Sequence, residues 1–438
     1  MSGPAPGERA AATLARLVRG GWGAVEVYEK RGRSRRYELG PEGESVGAAE
    51  EAGWAVRAGD LERSCFAAGT GAPDPDLALP EPTAHPLRLP EARAVPPWSE
   101  PPGLDAPLFS ESEAWALLGG IEQEAAREIP GARLVAARLE DGASEGFLAS
   151  SRGVAAPSRA RAATLRFELE AGAERCVVEV AERDPRALSA PALARRAVDR
   201  LLARAAATHA APLAAGGDLV LAAPLAARLV EALAPLFVGA ETAAALAALC
   251  APDGAIASAA VTLADDGRRA EGALAAPVDG EGLPTGERRL IERGRFVAPL
   301  LAWWEERGAP PPGCARRASW RDLPRRAPTQ MLILPDPARA PEELLDGVAR
   351  GACLIDAEGG VRWERGAPRF TVAVAGFALV GGRAVAPLGP CRLEGDLRAL
   401  LGGVVAVARD LAFASGDGLY GAPSLLVRGL KLVPAAPA

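Results

Sequence analysis

Histidine is almost missing from this chain: two, His85 and His209, in 438 residues. No site that holds an ion with several imidazoles can be assembled from that stock. Neither histidine has an acid–His or Cys–His spacing around it, so both read as loop residues. Lysine is equally scarce, with Lys30 and Lys431 alone. Nearly all positive charge is arginine, and beside so much Ala, Gly and Pro this reads as coding bias. A net charge of −6 with no long basic run excludes nucleic acid and anionic membranes as expected partners. The six cysteines show no CxxC and no regular spacing, which fits reduced thiols of a cytoplasmic protein better than a disulfide frame. Aromatics are only 5%, so Ala, Val and Leu must fill the interior. No apolar run is long enough to span a bilayer: the richest, Leu219 to Cys250, is broken by Pro224, Arg228, Glu231, Pro235 and Glu241. Met1 to Gly21 lacks the apolar core of a signal peptide. There is no P-loop, no complete GxGxxG, no Ser/His/Asp order and no zinc-knuckle spacing.

What is present points to an α+β protein of two domains: an N-terminal α/β meander domain and a C-terminal, largely antiparallel β domain with edge helices. The first spans 1–210, with a Pro-rich crossing at 71–107; the second spans 217–438. Helical spacing predicts a helix over 8–19, ending at Gly20-Gly21. Short strands are expected at Ala24–Glu29, Arg35–Leu39, Gly53–Arg57 and Ser64–Ala68. Ser110 or Ser112 should cap a helix running to Ile129. Strands follow at Arg133–Leu139, Gly146–Ser150, Thr164–Glu170 and Arg175–Val180, then a helix over Ala190–Ala207. The second half opens with a strand, Asp218–Ala222, and a helix from Pro224 that Pro235 should kink or end. Phe377–Val380, Gly381-Gly382 and Arg383–Val385 give a hairpin signal.

The stretch Asp265 to Pro324 is dense in specified turns: Asp265-Asp266-Gly267, then Asp279-Gly280-Glu281-Gly282-Leu283-Pro284-Thr285, then Gly313-Cys314-Ala315-Arg316. Such a segment builds a shaped surface. Asp265, Asp266, Asp279 and Glu281 have the chemistry of paired acid–base groups. Asp-Gly and Glu-Gly pairs, however, read first as turns, and nothing in the spacing brings them together. Arg316 suits a peptide carboxylate, an acid across an interface, or a salt bridge within the domain. Cys314 has no histidine near it to activate a thiol.

The Asp-x-Glu-Gly-x-Pro-Thr run, with Gly-x-Ala-x-Arg about thirty residues later, resembles the TldD/PmbA family, and its TldE (PmbA) branch in particular. The resemblance extends over nearly the whole chain, from Gly53-Trp54-Ala55-Val56-Arg57 to Ala422–Val427. In TldD-type chains the strand–helix unit matching Asp218 onward bears His-Glu-x-x-x-His, which binds metal and supplies a general base. Here the three positions hold Glu231, Ala232 and Leu236. One carboxylate and two aliphatic side chains cannot replace two imidazoles on zinc. Other departures are Pro311-Pro312 where Thr-Gly is usual, and Gly381-Gly382 where Asn-Gly is usual.

The resemblance therefore implies a TldE-like subunit with no catalytic or metal residue of its own. It implies a cytoplasmic heterodimer with a TldD-like subunit that carries the zinc, acting on unfolded or linear peptides. Asp279, Glu281, Arg316 and Glu231 are the candidate substrate or interface residues. The alternative is a stand-alone homodimer that binds or regulates without peptidase activity.

Overall fold

A computed structural model describes residues 7–73, 77–100, 103–204, 217–306, 311–364 and 369–434. His209, the expected linker and Arg365–Pro368 lie outside them. The first half is one antiparallel sheet of long strands: β1 (Ala24–Gly40), β2 (Gly43–Gly59), β3 (Ser64–Thr70), β4 (Arg133–Ser150), β5 (Ala155–Ala171) and β6 (Glu174–Glu182). Their order is β3-β2-β1-β4-β5-β6. Where the sequence suggests pairs of short strands, single strands run through. Arg31 to Ser34 continues β1 because β2 and β4 hydrogen-bond it on both sides. Ladder pairing there outweighs the weak strand propensity of a polar stretch.

Alternation assigns the two faces. Val25, Val27 and Tyr37 of β1 point to one face and pack under helices. Helix α1 (Glu8–Arg19) covers one end, burying Ala10, Thr13 and Leu17. Helices α2 (Glu111–Glu128) and α3 (Ala190–Arg204) cover the other, over Leu139, Leu165, Phe167 and Val178. Ser110 is the α2 cap: its hydroxyl accepts from the Glu113 N–H, and the Glu113 carboxylate accepts from the Ser110 N–H at 2.7 Å, a closed capping box. Buried Arg161 and Asp141 pair beneath the entry to this helix, where Asp141 also accepts from Phe109 N. The opposite face of the sheet carries Glu26 and Tyr28 and turns toward the second half of the chain.

Between the halves, the described residues from Leu77 to Ser110 form no helix or strand, as the proline content predicts. The crossing is nonetheless tied down. Leu87 and Leu89 are buried against Ala24, and Arg93 donates to the Pro311 carbonyl at 2.8 Å.

The second half has two main sheets around one core. The strand β7 (Asp218–Leu221) lies in the larger sheet, parallel to Arg350–Ala357 and antiparallel to Leu425–Val427. Arg369–Val380 forms its long spine, with the Gly381-Gly382 hairpin back to Arg383–Pro387. The other sheet runs Arg295–Phe296, Glu287–Glu292, Leu263–Asp266, Gln330–Ile333, Leu419–Ala422, Ala412–Ser415. Helix α4 (Ala223–Leu233) sits between these sheets, with Leu225, Ala226, Ala227, Leu229, Val230 and Leu233 all buried. Three alanines let the backbones approach closely. Its cap residue, Ala222, has no acceptor side chain; Ser424 supplies one instead, taking the Ala223 N–H at 3.1 Å. Pro235 ends the helix as expected, and the chain tightens into a 3-10 turn over Ala234–Phe237.

The halves meet at Gly53, whose missing side chain leaves room for the Trp320 indole. Trp320 is buried and in a loop of the second half. A methyl group at residue 53 would lie inside that ring. Gly53→Ala should therefore displace Trp320 and lower stability by about 1–3 kcal/mol. Urea unfolding and the tryptophan emission of the folded state check this; an unchanged midpoint and spectrum would show that the contact is dispensable.

Candidate functional site

Asp279 organises the loops that the sequence marked. Its Oδ1 accepts from the N–H groups of Glu281 and Leu283, both at 2.9 Å, and its Oδ2 accepts from Ala315 N at 2.9 Å. One side chain thus closes its own turn and fastens it to the loop that follows Gly313. Two further backbone bonds, Gly280 N to Ala315 O and Gly313 N to Pro284 O, complete the seam. Gly282 has φ 78° and lies against Val154, so this turn excludes any side chain there. Burial pushes the Asp279 carboxyl up to about 6, against the three N–H donors and the charge of Arg317.

Glu281 is buried and reaches across to the first sheet. Arg57 of β2 donates to Glu281 at 3.2 Å and to Glu26 of β1 at 2.8 and 2.5 Å. Arg317 pairs with Glu26 from the other side, donates to the Gly280 carbonyl at 2.9 Å and lies over the Tyr28 ring. The result is a buried chain of four ionisable groups, Arg317–Glu26–Arg57–Glu281. Burial alone would raise Glu26, but Arg317 and Arg57 outweigh it and hold this carboxyl below its usual value. Glu281 has a share of Arg57 only, with Asp279 and Glu26 beside it. Burial therefore dominates and lifts it to about 7. Arg57 is held charged, its pKa raised by the two carboxylates against its own burial.

The expectation that these acids are independent turns needs correction. Asp279 and Glu281 do form a turn, but it is buried and convergent. Asp265 is not in a turn at all. It lies in the strand Leu263–Asp266, buried, where its Oδ1 accepts from Thr329 N and Gln330 N at 2.8 Å each. Burial raises it to about 6. Asp266 ends the strand and accepts from Arg268 N across the turn at Gly267. Cys314 is an inert thiol: it donates to the Leu301 carbonyl, and burial pushes it to about 12.

Arg316 has no carboxylate within 4 Å among the described residues, so the salt bridge within the domain does not form. It lines a small cleft of about 180 Å³ with Tyr28, Ser158, Asp279 and Thr329, between the first sheet and the loops. Burial lowers its pKa, which a nearby anion would reverse.

Glu231 stands apart on α4, half-buried, 3.1 Å from Arg228 one turn earlier. Tyr420, which the sequence analysis passed over, lies between this helix and the loops. Burial raises its phenol, the charges of Asp417, Glu231 and Asp265 act in the same direction, and Arg316 opposes them. Glu26 was also missed, and Arg57 and Arg317, which end the Gly53–Arg57 and Gly-x-Ala-x-Arg runs of the resemblance, were not named as site candidates. A cross-strand Glu26–Arg57 pair is visible only once β1 and β2 are in register.

Neither Ala232 nor Leu236 has a donor atom, Glu231 is already paired with arginine, and His85 is exposed in the crossing. Among the described residues no group of three His, Cys, Asp or Glu side chains is placed to hold a metal ion. The residues of α4 do not fit zinc.

A long antiparallel sheet beside a two-sheet unit around a central helix is an architecture found in solved structures. TldE from Thermococcus kodakarensis superposes with a TM-score of 0.80 at 18% identity, covering 96% of this chain and all of that one. A protein from Thermotoga maritima described as a proposed modulator of DNA gyrase gives 0.80 at 17%, covering 97% and 99%. Another so described, from Bacteroides thetaiotaomicron, gives 0.70 at 15%, covering 98% of each. No curated protein matches the chain in sequence. Residues 216–433 match the model of the PmbA/TldA metallopeptidase C-terminal domain. The chain belongs to the TldD/PmbA family.

Two outcomes follow from this charge arrangement. Arg57→Met should lower stability by about 3–5 kcal/mol, because it leaves two buried carboxylates without their shared cation; urea midpoints measure it. The raised carboxyls set the pH response. Between pH 4 and 7 the folded chain retains protons on Asp265, Asp279 and Glu281 that the unfolded chain has released, so stability should fall as pH rises through that window. Asp265→Asn keeps an Oδ1 for both N–H groups and should remove on the order of 2 kcal/mol of that fall. Equal slopes for the variant and the parent between pH 4 and 6 would refute the assignment.

Proposed function

We propose that this chain is a TldE-like, non-metal-binding subunit of a TldD/TldE-type zinc metallopeptidase acting on unfolded or linear peptides. One observation carries the reading. Strand β7 and helix α4 open the segment that matches the family's domain model, and the positions that the resemblance assigns to the His-Glu-x-x-x-His of TldD-type chains hold Glu231, Ala232 and Leu236. The zinc and the general base would then come from a TldD-like partner.

This chain's part is to hold and shape. The loop seam around Asp279 presents Arg316 in a cleft without a carboxylate partner, suited to an acid on the partner or on the peptide. The clamp of Glu26, Arg57, Glu281 and Arg317 would keep that wall rigid. The first sheet and the unit from Asp218 onward would act as two domains, 1–210 and 217–438, enclosing half of a chamber. A cytoplasmic location belongs to the same reading; the structure adds that no described helix is long and apolar enough to cross a membrane.

Mixed with a TldD-like partner and zinc, the chain should restore cleavage of an unfolded peptide that the chain alone leaves intact. Arg316→Gln should reduce the restored rate by about tenfold or more if the arginine meets an acid in the complex. Stoichiometric zinc on the isolated chain together with peptide cleavage would overturn the subunit assignment. A stable homodimer that neither joins nor activates any TldD-like chain would favour a stand-alone binding protein.

A further inference from the structure

A second, larger cleft of about 570 Å³ opens where α3, α4 and the sheet of the first half meet. Three arginines reach it from three elements: Arg166 of β5, Arg200 of α3 and Arg228 of α4. At its floor a single buried carboxylate, Asp356, is shared by Arg200 and by Arg196, the latter at 3.2 Å. Arg200 also donates to the Val177 carbonyl. The Nε atoms of both Arg196 and Arg200 are buried without a hydrogen-bond partner. Arg166 has no carboxylate within 4 Å among the described residues. Glu231 and Glu179 stand beside Arg228, at 3.1 and 3.6 Å. Gly359 and Gly360 border the cleft and leave open space where side chains would be.

Guanidinium groups this close repel one another. Burial, with Arg196 next in effect, brings Arg200 down to about 9; burial, with Arg228 next, brings Arg196 to about 10. Both remain cations at neutral pH and gain from an anion placed among them.

We propose that this cleft is a binding site for the C-terminal carboxylate of a peptide. Planar guanidinium forks match a carboxylate in a bidentate manner. The acids of the cleft are already held by arginine, Asp356 by Arg196 and Arg200 and Glu179 and Glu231 by Arg228, and among the described residues they form no group placed to hold a metal cation. A dianionic phosphate is disfavoured by Glu179 and Glu231, whereas those acids accept the N–H groups of the residues preceding a peptide's end. The volume suits a few residues rather than a lone ion. The identity of the ligand rests on the peptide-handling role proposed above; the anion site itself rests on the arginines.

The test uses the purified full-length chain without a partner, titrated by calorimetry with N-acetyl-trialanine, its C-terminal amide and inorganic phosphate. The free acid should bind, and the amide should bind at least about tenfold more weakly, as loss of charge-assisted hydrogen bonds predicts. Arg166→Gln and Arg228→Gln should each weaken the free acid by a similar factor while leaving the urea midpoint unchanged. Equal affinity for acid and amide, unaltered binding by both variants, or binding of phosphate in place of the peptide would each overturn the proposal. Cleavage restored by a TldD-like partner without any preference for a free carboxylate would also overturn it, and would leave the subunit reading intact. Carboxylate binding with no activation of any partner would do the reverse.

Discussion

Four buried ionisable groups, two from the first sheet and two from loops more than two hundred residues later, fix how the halves of this molecule meet. Removing such groups from water is expensive, and an incomplete set would be worse than none. Here arginines and carboxyl groups alternate, Arg317–Glu26–Arg57–Glu281, with Arg317 also bonded to the Gly280 carbonyl. The arrangement is directional as hydrophobic contact is not. It selects one register between β1–β2 and the turn at Asp279, and every cleft formed between the halves inherits that register.

The turn itself explains why the segment is so rich in glycine and acid. A carboxylate that accepts three backbone N–H groups needs those groups to converge, and convergence needs residues without side chains. Gly282 and Gly313 both lie where a methyl group would collide, one with Val154 and one with Asp279 itself. The backbone of this turn is therefore fastened by the Asp279 side chain at three points. The arginine left over, Arg316, lies at the edge of this frame, lining the small cleft, and among the described residues no carboxylate lies within 4 Å of it.

How much of this was legible beforehand depended on range. Helices with local signals were readable: Ser110 with Glu113 marks the start of α2, and Pro235 marks the end of α4. The hairpin at Gly381-Gly382 was readable for the same reason. The long strands were not, because the central part of β1, with Arg31, Arg33, Arg35 and Arg36, carries no apolar alternation and owes its extension to neighbours on both sides. The candidate acids were named, but their burial was hidden. Asp265 looks like the start of a turn until Thr329 and Gln330, more than sixty residues on, are seen to donate to it. Arg57 and Glu26 could not be singled out, since cross-strand partners are defined by register and not by spacing.

The arginine content shows the same limit in another form. As composition it resembles a bias of the coding sequence, and much of it is scattered on the surface in pairs worth little. Yet the same residue type, placed under cover, does two different things in this fold. At Arg57 and Arg317 each guanidinium is matched by carboxylates, and the consequence is rigidity. At Arg196 and Arg200 the match is incomplete: the two share Asp356, and among the described residues their buried Nε–H groups have no acceptor, beside an open cleft that Arg200 lines. A folded chain tolerates such a deficit only where the stability of the surroundings carries it, and unmet donors facing a cavity are the usual mark of a place that something else completes. The cleft lies along α4, lined there by Arg228, Glu231 and Ala232.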